Sequence, residues 1–182
     1  MKTLVIHPDD RSTDFLRPIY SGLQGTTVIT KNITAETLMS VIRANDRIIM
    51  LGHGSPSGLF NVSGIGVGLF AIGSQHVDVL ATKECIYIWC NADQFIDKHN
   101  LSGLYSGMFV SEVAEAVYCG LPPVTQAQVD QSNDEFARVL GSTLVETPDL
   151  ERVHSVVRSE YRMLAENNDV AKYNVERWYY IN

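Results

Sequence analysis

Residues 47–54 read Arg47-Ile48-Ile49-Met50-Leu51-Gly52-His53-Gly54 (RIIMLGHG). The aliphatic run does not alternate with polar residues, so both faces of the strand it forms need cover. That places the strand inside a parallel sheet, where helices lie on either side. Working outward, similar short runs occur at Thr3–His7, stopped by Pro8-Asp9-Asp10, and at Thr26–Thr30, Cys85–Cys90 (CIYIWC) and Leu104–Val110. Helical patterns fall between them: Ser12–Tyr20, with Pro18 near its end, Thr34 as N-cap of a helix to Ala44, Ser74–Lys83, Ala92–His99 and Ser111–Tyr118. Residues 58–73 carry five glycines and read as a loop with a hairpin around Leu59-Phe60 and Leu69-Phe70. After the break at Pro122-Pro123 the pattern predicts helices at Asp130–Leu140 and Pro148–Glu166, then a terminal strand over Asn174–Ile181.

Strands alternating with helices predict an α/β fold: a mainly parallel central sheet covered on both faces, right-handed crossovers, and the order 2-1-3-4 for the first four strands. A length of 182 residues with 45% apolar content fits one domain, 1–182, with a core over 1–145 and a more polar, helical extension over 146–182.

Fourteen Lys and Arg against 21 Asp and Glu give a net charge of −7, with no basic stripe, which argues against a nucleic-acid partner. No apolar run is long enough to span a membrane, and the first residues lack the pattern of a secretory signal. Three cysteines, an odd number, do not read as a disulfide framework. The expectation is a cytoplasmic protein with free thiols. No metal-ligand spacing is present, and Gly64-X-Gly66-X-Gly68 has the wrong spacing for a dinucleotide loop, so no metal and no cofactor are expected.

In parallel sheets ligands sit beyond the carboxyl ends of the strands. Here those ends carry Asp9, Asp10 and Arg11 after the first strand, His53 and Gly54 after the third, Cys90 closing the fourth, and Ser111 and Glu112 after the fifth. A thiol is the nucleophile only as its thiolate, and a neighbouring imidazole or helix N-terminus favours that form. Cys90 is therefore expected to be the most reactive of the three thiols, with His53 as its base and Gly54 offering a backbone N–H to an oxyanion. The plain alternative is packing: cysteine is among the most buried residue types, and Cys85 and Cys119 are assigned to it.

The two blocks RIIMLGHG (47–54) and CIYIWC (85–90), a hydrophobic strand into His-Gly and then a hydrophobic strand into Cys, resemble the pattern of caspase-like cysteine peptidases. That clan, CD, includes caspases, legumains, gingipains, separases and related bacterial domains. The resemblance implies a three-layer α/β/α sandwich, a His53–Cys90 dyad, an oxyanion hole from the Gly54 and Cys90 N–H groups, and a peptide or protein substrate. Some relatives use calcium. The chain departs from the caspase form: Cys90 is followed by Asn91-Ala92-Asp93, and Asp9 and Asp10 stand where caspases place an aspartate-binding Arg. Together with Glu112, these acids are expected to favour a basic residue on the acyl side of the cleaved bond. Two other readings stand beside this one: a dormant caspase-like binding or regulatory module, and a flavodoxin-like small-ligand binder, for which His7-Pro8-Asp9-Asp10 is a poor phosphate cradle. Association of copies of the chain is left open.

Overall fold

The computed structural model describes all 182 residues, Met1–Asn182. In chain order the elements are β1 (Thr3–Ile6), a 3-10 helix (Arg11–Leu16), α1 (Pro18–Ser21), β2 (Thr26–Ile29), α2 (Ala35–Arg43), β3 (Arg47–Leu51), β4 (Gly54–Ser55), β5 (Gly58–Phe60), β6 (Phe70–Ile72), α3 (Val77–Leu80) and β7 (Glu84–Ile88). The second half holds α4 (Ala92–His99), β8 (Gly103–Ser106), α5 (Val113–Tyr118), α6 (Gln126–Glu146), α7 (Leu150–Ala165), α8 (Asp169–Val175) and β9 (Trp178–Ile181).

Six strands form the central sheet in the order β2-β1-β3-β7-β8-β9. Every pairing is parallel except β8 with β9, which closes one edge antiparallel. The expected order of the first four strands is thus found. The small antiparallel sheet β4-β5-β6 sits on the connection between β3 and β7. The fold is mixed α/β with a mostly parallel central sheet.

Successive strand residues point to opposite faces, and the core divides accordingly. Val5, Ile49, Leu51, Ile86, Ile88 and Leu104 pack with residues of α6, α7 and α8. Leu4, Ile6, Ile48, Met50, Cys85 and Tyr87 pack with Leu38 and Ile42 of α2 and Phe95 and Ile96 of α4. At the amino end of the sheet, the buried Arg47 pairs with Glu84 at 2.8 Å and donates to the Pro148 carbonyl, tying β3 to the turn between α6 and α7.

Four local expectations are corrected. Ser12–Tyr20 is not one helix: Asp10 caps a 3-10 turn, and Pro18 occupies the first turn of α1, where its missing N–H costs nothing. The fourth strand ends early, at Ile88, and the chain turns at the left-handed Asn91 (φ 65°); the fifth ends at Ser106, after which Gly107 donates to the Arg177 carbonyl and accepts from the Asn91 N–H. The helix expected at Asp130–Leu140 extends to Gln126–Glu146, started by a Thr125–Gln128 capping pair. The terminal strand is only Trp178–Ile181, because Asn168 caps α8 by accepting from the Val170 and Ala171 N–H groups.

No helix is long and apolar enough to cross a membrane.

Candidate active site

Leu51 and Ile88 are the last paired residues of β3 and β7, and His53 and Cys90 each lie two residues further on. The Gly52 N–H still donates to the Ile88 carbonyl at 3.0 Å, which holds the two chains side by side up to the site. The parallel register therefore brings the two residues to the same level on neighbouring strands. Both line one cavity of about 20 Å³, with Thr13, Phe15, Trp89 and Phe109 among the other walls. That volume admits about one water.

Each member has a separate partner. The Cys90 thiol donates to the Phe109 carbonyl at 3.4 Å and lies 3.8 Å from Glu115 Oε1. Burial, and after it the Glu115 carboxylate, push this thiol up to about 12. This overturns the expected activation of Cys90: the neighbouring charge is negative, and the sulfur is turned inward. His53 is half-buried, and its Nε2 lies 2.7 Å from Ser12 Oγ. The Ser12 hydroxyl donates to Asp10 Oδ1 at 2.7 Å, and the Ser12 N–H meets the same oxygen at 3.0 Å. These two bonds, hydroxyl first, hold the Asp10 carboxyl below its ordinary range.

Gly54 opens β4 directly behind His53. A Cβ built there would stand 2.3 Å from Trp89 Cδ1 and 2.7 Å from the Gly58 carbonyl oxygen. The indole Nε1–H in turn donates to the Ser55 carbonyl at 3.1 Å. The hairpin thus lies against the Trp89 indole, on the residue before the thiol.

The far wall runs from Gly107 to Ser111. Asn174 of α8 reads Val110 as another backbone would, accepting from its N–H and donating to its carbonyl, both at 2.8 Å. Asn133 donates to the Ser111 carbonyl at 2.9 Å, and Glu115 Oε2 accepts from the Ser111 N–H at 2.7 Å and its hydroxyl at 3.0 Å. Asn174, Asn133 and Glu115 are the residues that the sequence reading missed. Only Glu115 left a signal, an acid at the third position of a helix where it can bond back to the cap.

Beside the small cavity is an open cleft of about 470 Å³, lined by Arg11, Ser12, Phe15, Ser111, Glu112, Asp130 and Asn133 among others. It shares Phe15 and Ser111 with the cavity. Glu112 lines this neighbouring cleft and not the His53–Cys90 cavity. Asp9 and Asp10 lie elsewhere: Asp9 faces Arg17 at 3.5 Å and Lys31 at 4.0 Å, and Asp10 is bound to Ser12. Neither is among the residues that line the cleft, so the expected acidic rim is placed beside it and already paired. The cation at this wall is Arg11.

His7, also at the end of β1, is buried between Thr13 Oγ1 and the Tyr20 hydroxyl. Burial, then the nearby Arg17, lower it to about 4. It is a neutral packing residue and takes no part in the site. No group of three or more His, Cys, Asp and Glu side chains is placed to hold a metal ion.

No family model matches the chain, and neither the curated proteins nor the solved structures gave a match.

Proposed function

We propose that the chain is a cysteine endopeptidase of caspase-like type, built as a three-layer α/β/α sandwich, with Cys90 as nucleophile and His53 as base. The observation that carries this reading is the shared cavity of His53 and Cys90 at the carboxyl ends of neighbouring parallel strands. In the reaction the Cys90 proton passes to His53 as the sulfur bonds to the peptide carbonyl carbon. The Gly54 and Cys90 N–H groups donate to the oxyanion. The imidazolium then gives its proton to the leaving amine, and water cleaves the thioester. No cofactor enters these steps.

The resting thiol is neutral and faces Phe109, so catalysis requires it to turn toward His53 as substrate parts Phe15 from Phe109. With Asp9 and Asp10 outside the cleft lining, Glu112 and Asp130, opposed by Arg11, are the acids on its wall that favour a basic side chain. An exposed ion pair of this kind contributes about 0.2–1 kcal/mol, so the preference for Arg over Leu is at most about fivefold.

The dormant-module reading has its own support: the thiol is held protonated beside a carboxylate, and His53 is engaged by Ser12. Hydrolysis of a quenched fluorogenic peptide library separates the two. The peptidase reading expects cleavage by the native chain, and a loss of about a thousandfold or more in kcat/KM for Cys90→Ala and for His53→Ala, with the double variant no worse than either alone. Absence of cleavage by the well-folded native chain favours the dormant module. Cleavage retained by Cys90→Ala excludes the dyad.

A further inference from the structure

We propose that Ser12, its hydroxyl hydrogen taken by Asp10, is the positioning residue of His53: it accepts the Nε2–H, fixes that tautomer and leaves Nδ1 as the basic nitrogen. The inference rests on the His53–Cys90 reading for its catalytic meaning, but not for its geometry. A serine hydroxyl has one hydrogen. Asp10 Oδ1 and His53 Nε2 both lie 2.7 Å from Ser12 Oγ, so only one of them receives it. Asp10 is the stronger acceptor, because it is a carboxylate and because the Ser12 N–H already orients it. The hydroxyl oxygen must then accept from His53, and the Nε2 nitrogen must carry the proton.

The local sequence builds this relay. Asp10-Arg11-Ser12 forms a turn in which an acid bonds the backbone two residues on, and that turn caps the 3-10 helix after β1. Because β1 is the neighbour of β3, the same turn reaches the end of β3 and meets His53. In the reaction the Cys90 proton goes to Nδ1. The imidazolium so formed keeps its Nε2–H on Ser12, with the Asp10 charge behind it, and then returns the Nδ1 proton to the leaving amine. Ser12 is accordingly not a nucleophile facing a histidine base, since its hydrogen points the other way.

The test is a long-range 15N–1H correlation spectrum of the neutral His53 ring in the native chain, Ser12→Ala and Ser12→Thr. The expected result is the Nε2–H tautomer in the native chain and in Ser12→Thr, and a mixture of tautomers in Ser12→Ala with an otherwise unchanged amide spectrum. An Nδ1–H tautomer in the native chain, or a tautomer ratio untouched by Ser12→Ala, overturns the proposal. The kinetic arm expects Ser12→Ala to lower kcat about ten- to hundredfold with little change in KM, part of the ~10²–10⁴ contributed by a placed base, and Ser12→Thr to recover most of it. Equal kcat in the native chain and Ser12→Ala counts against positioning. If the native chain cleaves nothing, the peptidase reading fails, while the spectrum still decides whether Ser12 holds His53.

Discussion

Iodoacetamide at pH 8 is expected to modify Cys119 first and Cys90 about a hundredfold more slowly than an ordinary thiol. With a pKa near 12, about one Cys90 in 10⁴ is thiolate at pH 8, against about a quarter of a free thiol near 8.5. The more basic thiolate recovers roughly a factor of forty in nucleophilicity, which leaves a deficit of about 50- to 100-fold before access is considered. Cys119 is partly exposed, whereas Cys85 is fully buried and also pushed up to about 12, so it reacts last. The sign of the pH dependence follows from the raised value. Deprotonation lies above the working range, so the Cys90 rate climbs about tenfold per pH unit from 7 to 10, where an ordinary thiol levels off above 8.5. Peptide mapping of timed, quenched samples reads all three rates. Preferential labelling of Cys90, or a plateau below pH 9, contradicts the inward, neutral thiol.

Gly54→Ala is expected to destabilise the chain by about 3 kcal/mol, at the upper end of overpacking costs. The added methyl has nowhere to go: the Trp89 ring carbons at 2.3 and 2.5 Å belong to a rigid indole, and the Gly58 oxygen at 2.7 Å is backbone. Trp89 itself is buried in the core beside Tyr87 and Phe95, ring centroids 5.6 Å from each, and cannot retreat. For a chain of this size the loss lowers Tm by roughly 6–12 °C. Gly68→Ala is the control: its φ is +87°, but nothing lies within 4 Å of the new carbon, so backbone strain of ~1 kcal/mol is the whole cost. Thermal melts of both variants check this, and a Gly54→Ala midpoint within 2 °C of the native chain would falsify the steric account. The glycine at position 54 is thus required by Trp89, whatever its N–H contributes to an oxyanion.

The sheet was legible because its central strands declare themselves. Ile48-Ile49-Met50-Leu51 and Ile86-Tyr87-Ile88 are apolar on both faces, and only a strand covered on both sides tolerates that. The level of His53 and Cys90 followed from those strands and their parallel register. What could not be read was the direction in which side chains turn once the ladder ends. The Cys90 sulfur faces Phe109 and Glu115, residues 19 and 25 positions away, and no local pattern brings them there. Asp9 and Asp10 looked like a free acidic rim because sequence counts charges and does not show which are already paired. Arg17 lies eight positions from Asp9, and Ser12 is only two from Asp10, so that second pairing was within reach of turn chemistry. Helix α8 escaped because seven residues give too short a period to read.

The most direct test of the dyad is trapping by a peptidyl acyloxymethyl ketone, followed by intact mass and peptide mapping. In the proposed peptidase, such a reagent reacts once the peptide has seated in the cleft and the thiol has turned to His53, so its expected outcome differs from that of iodoacetamide. A single adduct on Cys90 is expected, formed faster than iodoacetamide labels the same residue, and slowed about a hundredfold or more in His53→Ala. An adduct on Cys119, or labelling of Cys90 at the same rate with and without His53, contradicts the dyad.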